Sequence, residues 1–141
     1  MASMIFNSFW DDLSRGNIDA DTDTFYMMLI SSAGVSAANK DTWTKRSDVT
    51  AYDVTGTNYS AGGKAVACTV SKVTASDTET YVFATTTWAT STITAYGAVV
   101  YKRRGGADTA DELVYMHDFG GVKTSSAGDF TVNASTITLQ N

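Results

Sequence analysis

The stretch that decides the fold is residues 88–101, which read WATSTITAYGAVVY. It is rich in β-branched and aromatic residues and lacks proline; such side chains lose rotamer freedom in a helix and pack well across a sheet. The run stops at residues 102–108, KRRGGAD, where glycines and charges predict a surface turn. A second apolar run, LVYMHDF at residues 113–119, follows and ends at Gly120 and Gly121. These features predict two antiparallel strands joined by a turn at the centre of a β-protein.

Further short strands are predicted on both sides of this hairpin. They are residues 25–30, 49–54, 65–71, 79–84, 129–133 and 135–140. About eight strands at irregular spacing, with one long loop after Ile30, are typical of a jelly-roll or Greek-key sandwich. We therefore predict an all-β fold, in which a jelly-roll β-sandwich domain of antiparallel strands, residues 25–141, follows an irregular N-terminal arm, residues 1–24.

The N-terminal arm holds three large aromatic residues in a segment with few helix signals. Residues 8–16, SFWDDLSRG, predict a single helical turn and nothing longer. Residues 1–16 are accordingly expected to be poorly ordered in the free protein. Phe6, Phe9 and Trp10 must then find a dry surface elsewhere.

Composition and charge narrow the classes of partner. The formal charge of −5 argues against nucleic-acid binding, which needs a basic surface to displace counterions from phosphates. No apolar run reaches the roughly 20 residues of a membrane helix, and the first residues lack the pattern of a signal peptide. The single cysteine excludes an intramolecular disulfide. We expect a soluble protein made in a cytoplasm, with neither nucleic acid nor a membrane as partner.

A search for catalytic or metal-binding residues finds almost none. His117 is the only histidine, so a serine or cysteine nucleophile has one candidate base, and no G-x-S-x-G sequence occurs. The pattern of its strand favours a hydrogen-bonded packing role for His117. The alternating aspartates Asp19, Asp21 and Asp23 invite a calcium interpretation, but the glycine and glutamate that an EF-hand requires are missing. We expect no enzyme, no metal and no cofactor.

Other residues have both a functional and a structural interpretation. Residues 62–64, GGK, are similar to part of a phosphate loop but more simply predict a tight turn that ends in a solvated lysine. Cys68 is expected to face the core as a small inert hydrophobe. Trp10, Trp43 and Trp88 could stack on sugars, although core or interface positions are more common for tryptophan. We expect Trp88 to be buried in the sandwich.

Blocks of the sequence resemble a family of small structural proteins of tailed phages and prophages. In chain order the blocks are residues 59–64, 87–96, 98–102, 113–115, 118–120, 125–132 and 137–139. The family is that of the cement, or decoration, proteins that coat HK97-type capsids. The order and spacing of the blocks carry the resemblance, and residues 1–40 contribute little to it.

The resemblance implies a jelly-roll fold and a non-enzymatic role on the outer surface of a phage head. The partner would be the major capsid protein, whose subunit contacts the protein would stabilise after synthesis in the cytoplasm of the bacterial host. Exposed aromatic residues serve such contacts well, which makes Phe6, Phe9 and Trp10 the expected anchors.

A second copy of the chain is a further expected partner. The run FYMMLI, residues 25–30, is apolar at every position, which indicates burial on both faces or contact with another subunit. A clamp at a capsid two-fold would present the same patch twice, so a homodimer is expected, with Phe25 and Tyr26 at an interface. Arg103 and Arg104 complete the candidate interface, since they could hold a carboxylate or phosphate; a soluble hairpin tip or an edge protector is the alternative.

Two other classes of function stay open. One is a receptor- or carbohydrate-binding module of a phage tail fibre, for which a trimerising stalk or linker would be expected. The other is a small hydrolase, which the single histidine disfavours. Incubation with empty capsid shells, a glycan screen and a hydrolase panel would separate the three classes.

Overall fold

The computed structural model describes residues 3–31 and 35–140, which form two antiparallel β-sheets on either side of a core. The strands are β1 Met4–Ile5, β2 Phe25–Ile30, β3 Lys64–Val66, β4 Cys68–Val73, β5 Thr78–Phe83, β6 Thr86–Lys102, β7 Leu113–Val132 and β8 Ser135–Gln140, and the α-helices are α1 Asn7–Arg15 and α2 Asn39–Thr42. The larger sheet has the order β1-β7-β6-β2-β3 and the smaller sheet the order β4-β5-β8. The predicted all-β sandwich is confirmed, and its jelly-roll connectivity stays a prediction.

The predicted central hairpin is the longest feature of the fold, because β6 and β7 pair from one end to the other, with a few interruptions of the register. The prediction that the second run ends at two glycines, with a separate strand from Asp129, is wrong, since β7 continues through both. Residues 119–122 of β7 bulge out opposite Tyr96. Gly120 and Gly121 have φ angles of 71° and 143°, which L side chains rarely adopt, and these angles allow the bulge.

Strand β2 lies inside the larger sheet, between β3 and β6, and both of its faces are covered. Met27 and Leu29 belong to the core between the two sheets, whereas Met28 and Ile30 belong to a second apolar cluster on the opposite face. The all-apolar run therefore has its cover within the chain. It no longer argues for a second subunit, and the homodimer stays a prediction without support from this strand.

The segment that follows β2 covers the outer face of the larger sheet. Within it, Val35 and Val49 are buried in the second apolar cluster. The strand predicted for residues 49–54 is wrong: a 3-10 turn forms at Thr50–Tyr52, because the N–H groups bond back to carbonyls of the preceding turn. Residues 32–34 of the predicted long loop lie outside the described residues.

The N-terminal segment is ordered by contacts with distant parts of the chain. β1 pairs with β7, with Met4 opposite Met116. α1 is 9 residues long, so the prediction of a single turn is wrong. Tertiary packing supplies what the weak helix signals lack. Met1 and Ala2, part of the segment predicted to be poorly ordered, lie outside the described residues.

None of the helices among the described residues is long and apolar enough to cross a membrane.

Two of the expected N-terminal anchors are core residues. Phe6 and Phe9 are both 0% exposed, and they belong to the two different apolar clusters. The ring of Phe9 meets Tyr81 of the smaller sheet edge-on, with centroids 5.9 Å apart. The expectation that these two rings are exposed anchors for a partner is therefore wrong, because the apolar clusters of the fold bury them.

Candidate interaction surfaces

The turn between β6 and β7 carries a cluster of charged residues, in which two acids, Asp111 and Glu112, are buried. Arg104 Nη2 donates to Glu112 Oε1 at 2.7 Å and Nε donates to Oε2 at 3.0 Å. Lys45 Nζ lies 3.2 Å from Glu112 Oε1, and Arg46 Nε lies 3.0 Å from Asp111 Oδ2. Each buried carboxylate thus faces cations of its own chain. Arg104, predicted as an interface residue, has its guanidinium engaged in closing the turn.

The pKa of Glu112 reflects these contacts. Burial by itself would raise the pKa, but the hydrogen bonds from Arg104 and Lys45 act in the opposite direction, and the pKa lies below its ordinary value. Glu112 is therefore ionised at neutral pH. Protonation in acid would remove its attraction for both cations and weaken the turn.

Arg103 stacks on an aromatic ring, and its side chain has no carboxylate partner among the described residues. Its guanidinium carbon lies 4.4 Å from the centroid of the Tyr26 ring, and its backbone N–H donates to Thr24 O at 2.9 Å. The rings of Tyr26 and Tyr101 lie 6.2 Å apart. We call Arg103 and Tyr26 the Arg–Tyr pair. It presents an exposed, pre-positioned cation whose donors suit a carboxylate.

Three of the seven predicted interface residues are buried, namely Phe6, Phe9 and Phe25. The ring of Phe25 meets Phe83 of the smaller sheet, with centroids 5.5 Å apart, so its expected place at a subunit interface is wrong. Trp10, on α1, is half-buried and packs against the core. The other three predicted residues lie in the β6–β7 turn and on the adjoining end of β2, where the structure brings them together.

The acidic loop at residues 19–23 joins α1 to the larger sheet. Asp23 Oδ2 lies 2.8 Å from Lys102 Nζ and accepts the Asp19 N–H at 2.7 Å. Lys102 Nζ also donates to Asn17 O at 2.6 Å. Within the described ranges, no group of three or more His, Cys, Asp or Glu residues is arranged to hold a metal ion. The contacts of Asp23 are those of a structural tether.

Gly62 and Gly63 form the predicted tight turn, which leads into Lys64 at the start of β3. Gly62 N–H donates to Asp53 Oδ2 at 2.6 Å. A Cβ on Gly63 would lie 1.7 Å from Met27 O, so only glycine allows the turn to approach β2 this closely. Lys64 Nζ donates to a carbonyl of β6 at 2.8 Å, so the lysine has a structural partner as well as solvent.

Two other structural expectations are confirmed. Trp88 is buried, with its ring centroid 5.8 Å from that of Tyr59 and 6.4 Å from that of Phe130. Cys68 is half-buried against the core, and burial raises the pKa of its thiol to about 11. The thiol therefore stays protonated at neutral pH, where it is a weak nucleophile.

His117 links the two sheets through a side-chain hydrogen bond. Its Nδ1 lies 2.9 Å from Ser135 Oγ on β8, and its ring centroid lies 5.5 Å from that of Phe119. Burial lowers the pKa of His117, against the weaker opposing effect of Asp118. The predicted hydrogen-bonded packing role is confirmed.

An open cleft of about 500 Å³ runs along β7 and was not anticipated from the sequence. The ring of Phe119 and the polar side chains of Asp118, Lys123 and Asp129 contribute to its walls. A surface that combines an aromatic ring with several polar groups is a common type of small-molecule site. Its residues come from both sides of the β7 bulge. The sequence predicts two separate strands in this region, so it gives no sign that these residues line one cleft.

Comparisons of the chain with protein-family models, with curated proteins and with solved structures gave no match. Two of the surfaces described above are candidates for binding a partner: the Arg–Tyr pair and the cleft along β7.

Proposed function

We propose that the chain is a structural capsid cement, or decoration, protein. It binds the outer surface of a tailed-phage head and stabilises contacts between subunits of the major capsid protein. The sequence resemblance supports this role, and most of the blocks that carry it fall on β6, β7 and β8, which include strands of both sheets. The role requires a rigid binding surface and no catalytic group.

The observation that carries the proposal is the Arg–Tyr pair. The ring of Tyr26 and the backbone bond to Thr24 restrict Arg103 before any partner arrives, so binding costs less side-chain entropy. Arginine and tyrosine are also enriched among the residues that dominate protein–protein affinity. We infer that the pair receives a carboxylate of the capsid protein, because a guanidinium can donate two parallel hydrogen bonds to it.

The charge of the chain is compatible with this location. Packaged DNA presses outward on a capsid, and a protein bound across a subunit boundary adds buried area where subunits meet. A formal charge of −5 disfavours attachment to DNA. After synthesis in the host cytoplasm, the protein would lie on the outer surface of the virion, away from the genome.

Co-sedimentation with empty capsid shells of the parent phage tests the proposal. We expect the protein to pellet with shells and Arg103→Ala to raise the Kd about tenfold, because a partner carboxylate loses its cation. Arg15→Ala is the matched control, since Arg15 is an exposed arginine on α1 that pairs with Asp11 at 2.8 Å. Unchanged affinity of Arg103→Ala would place the contact elsewhere, and failure of the unmodified protein to bind shells would refute the cement role.

The cleft along β7 favours a second candidate, a receptor- or carbohydrate-binding module of a tail fibre. A sugar could stack on Phe119 while Asp129 and Lys123 bond its hydroxyl groups. A glycan screen tests this function, with Lys123→Ala and Asp129→Asn expected to lose binding and Arg103→Ala expected to keep it. Glycan binding with this pattern, together with no binding to shells, would replace the cement proposal.

A further inference from the structure

The smaller sheet has two outer strands, β4 and β8, and β8 is the less protected of them. Its sequence, STITLQ, contains no charge, proline or glycine, and it pairs with β5 without a bulge. Charges, prolines and bulges are the features that protect free edges in natural proteins, because the unpaired backbone groups of an edge attract another strand. β4, by comparison, carries Lys72.

The hydrogen-bonding pattern of the smaller sheet shows which way each residue of β5 bonds. At the end of the β4–β5 ladder, Ala84 N–H donates to Ala67 O at 2.9 Å. Bonded pairs alternate along antiparallel strands, so every second residue of β5 from Ala84 bonds to β4. The residues between them direct their N–H and C=O groups towards β8; these are Glu79, Tyr81 and Phe83.

The register of β5 with β8 then identifies the outward backbone groups of β8. The β8 residues opposite Glu79, Tyr81 and Phe83 bond inward; they are Leu139, Ile137 and Ser135. The alternate residues direct their N–H and C=O groups away from the sheet; they are Thr136, Thr138 and Gln140. None of these outward groups has a hydrogen-bond partner in the part of the chain that the structure describes.

An apolar cleft adjoins this edge. It has a volume of about 460 Å³ and opens between β8 and β1, and we call it the β1–β8 cleft. Met4, Ile5, Tyr115, Met116 and Ile137 contribute to its walls. A strand added along β8 would direct every second side chain over this cleft, since successive side chains alternate between the faces of a sheet.

We propose that β8 binds an extended segment of the major capsid protein, which adds a strand to the smaller sheet and places apolar side chains in the β1–β8 cleft. The inference rests on the proposed function and names the chemistry of the contact. Backbone groups in a row are complementary to another extended backbone, and a cleft beside them selects the alternate side chains. The segment is expected to be apolar at every second position.

A second copy of this chain matches the cleft less well. In β8 of that copy, Ile137 would already be buried in its own core, where it is 5% exposed. Of the large apolar side chains on this face of β8, only Leu139, which is 47% exposed, would be free to make contact. An extended segment of another protein has both of its faces available.

Binding of Thr138→Pro and Thr138→Val to empty capsid shells tests the inference. Proline removes an outward N–H and leaves the β5–β8 bonds in place, which an edge strand tolerates, so the melting temperature should change little. We expect the proline variant to raise the Kd about tenfold or more, and the valine variant, which keeps the N–H, to bind like the unmodified protein.

Hydrogen exchange gives a second measurement that does not require a variant to fold. In the free protein the amides of Thr136 and Thr138 should exchange fast and that of Ile137 slowly, and shell binding should protect the first two. Full shell binding by Thr138→Pro, or no protection of these amides in the shell complex, would overturn the strand addition. If Arg103→Ala still weakened binding in that case, the cement role would stand. A dimer of the free protein that Thr138→Pro dissociates would make the occupant a second copy and overturn the proposal.

Discussion

The β6–β7 turn and the outer edge of β8 differ in whether their polar groups have partners within the described chain. In the turn, Asp111 and Glu112 are buried and face cations of the same chain. At β8, backbone groups face outward and Leu139 is exposed. The comparison shows that charge in the sequence is a poor guide to free binding capacity. Among the described residues, the cations of the basic turn other than Arg103 are paired with acids of the same chain, whereas the uncharged strand β8 has unpaired backbone groups.

The largest expected effect distinguishes the buried and exposed parts of the smaller sheet. Phe83 is 0% exposed and lies between Phe25 and Tyr115 of the larger sheet. Phe83→Ala should lower the free energy of unfolding by about 3–5 kcal/mol, because it leaves a cavity between the sheets. Leu139→Ala, the control, should cost less than about 1 kcal/mol because its side chain is largely solvated. Urea unfolding measures both, and similar losses would contradict the contrast between the two parts.

A medium effect is expected in the charged turn. Glu112→Gln should lower the free energy of unfolding by about 1–3 kcal/mol, because the cations Arg104 and Lys45 lose their buried counter-charge. Glu79→Gln is the control in the smaller sheet, where the half-buried Glu79 of β5 lies opposite Lys72 of β4. This substitution should lower the free energy of unfolding by no more than about 0.5 kcal/mol. Equal chemical stability of Glu112→Gln and the unmodified protein would show that the cluster is not stabilising.

A smaller effect is expected from pH, with a separate window for each region. The folded pKa of His117 lies below its ordinary 6.5, so its contribution is present above that value and is lost as pH falls from 6.5 towards the folded pKa. The pKa of Glu112 is also lowered, from an ordinary 4.5, so its contribution is lost only at more acid pH. Unfolding measured from pH 8 to about pH 3 should show two steps. His117→Gln should remove the first step alone, and persistence of that step would assign it to another group.

The smallest effect on stability is expected at the Arg–Tyr pair. Arg103→Ala should change the free energy of unfolding by about 0.5 kcal/mol, since an exposed cation–π contact contributes little to folding. Thermal unfolding at neutral pH checks this value. A loss as large as that of Glu112→Gln would make Arg103 a structural member of the turn cluster, and any loss of shell binding by the variant would then have a structural cause.

The parts of the fold that were predictable are those with local signals. The long β-branched run and the glycine-containing turn after it predict the β6–β7 hairpin, and the structure contains it. The helix at Asn7–Arg15 has weak local signals and depends on distant contacts, such as the Phe6 N–H that donates to Val114 O at 3.1 Å. Residues 49–54 have a strand-like composition, but they form a short turn and Val49 is buried. Tertiary packing, not local preference, determines this conformation.

The candidate sites show the same limit. Tyr26 and Arg103 were each named from the sequence, but only the β2–β6 register places the ring under the guanidinium. The burial of Glu112 could not be foreseen in a segment as polar as GADTADE, residues 106–112. The outward groups of β8 depend on strand order, because the same sequence in the middle of a sheet would have none.

The covered position of β2 has a consequence for synthesis on the ribosome. FYMMLI, residues 25–30, leaves the exit tunnel before its partner in β6, residues 97–102, has been translated. A nascent chain thus carries an uncovered apolar segment, which is the kind of surface that chaperones bind and that is prone to aggregate. The larger sheet closes only when β7 has been made and β1 can pair with it. The larger sheet can therefore reach its native pairing only after most of the chain has been made, and the apolar segment stays uncovered until β6 is available.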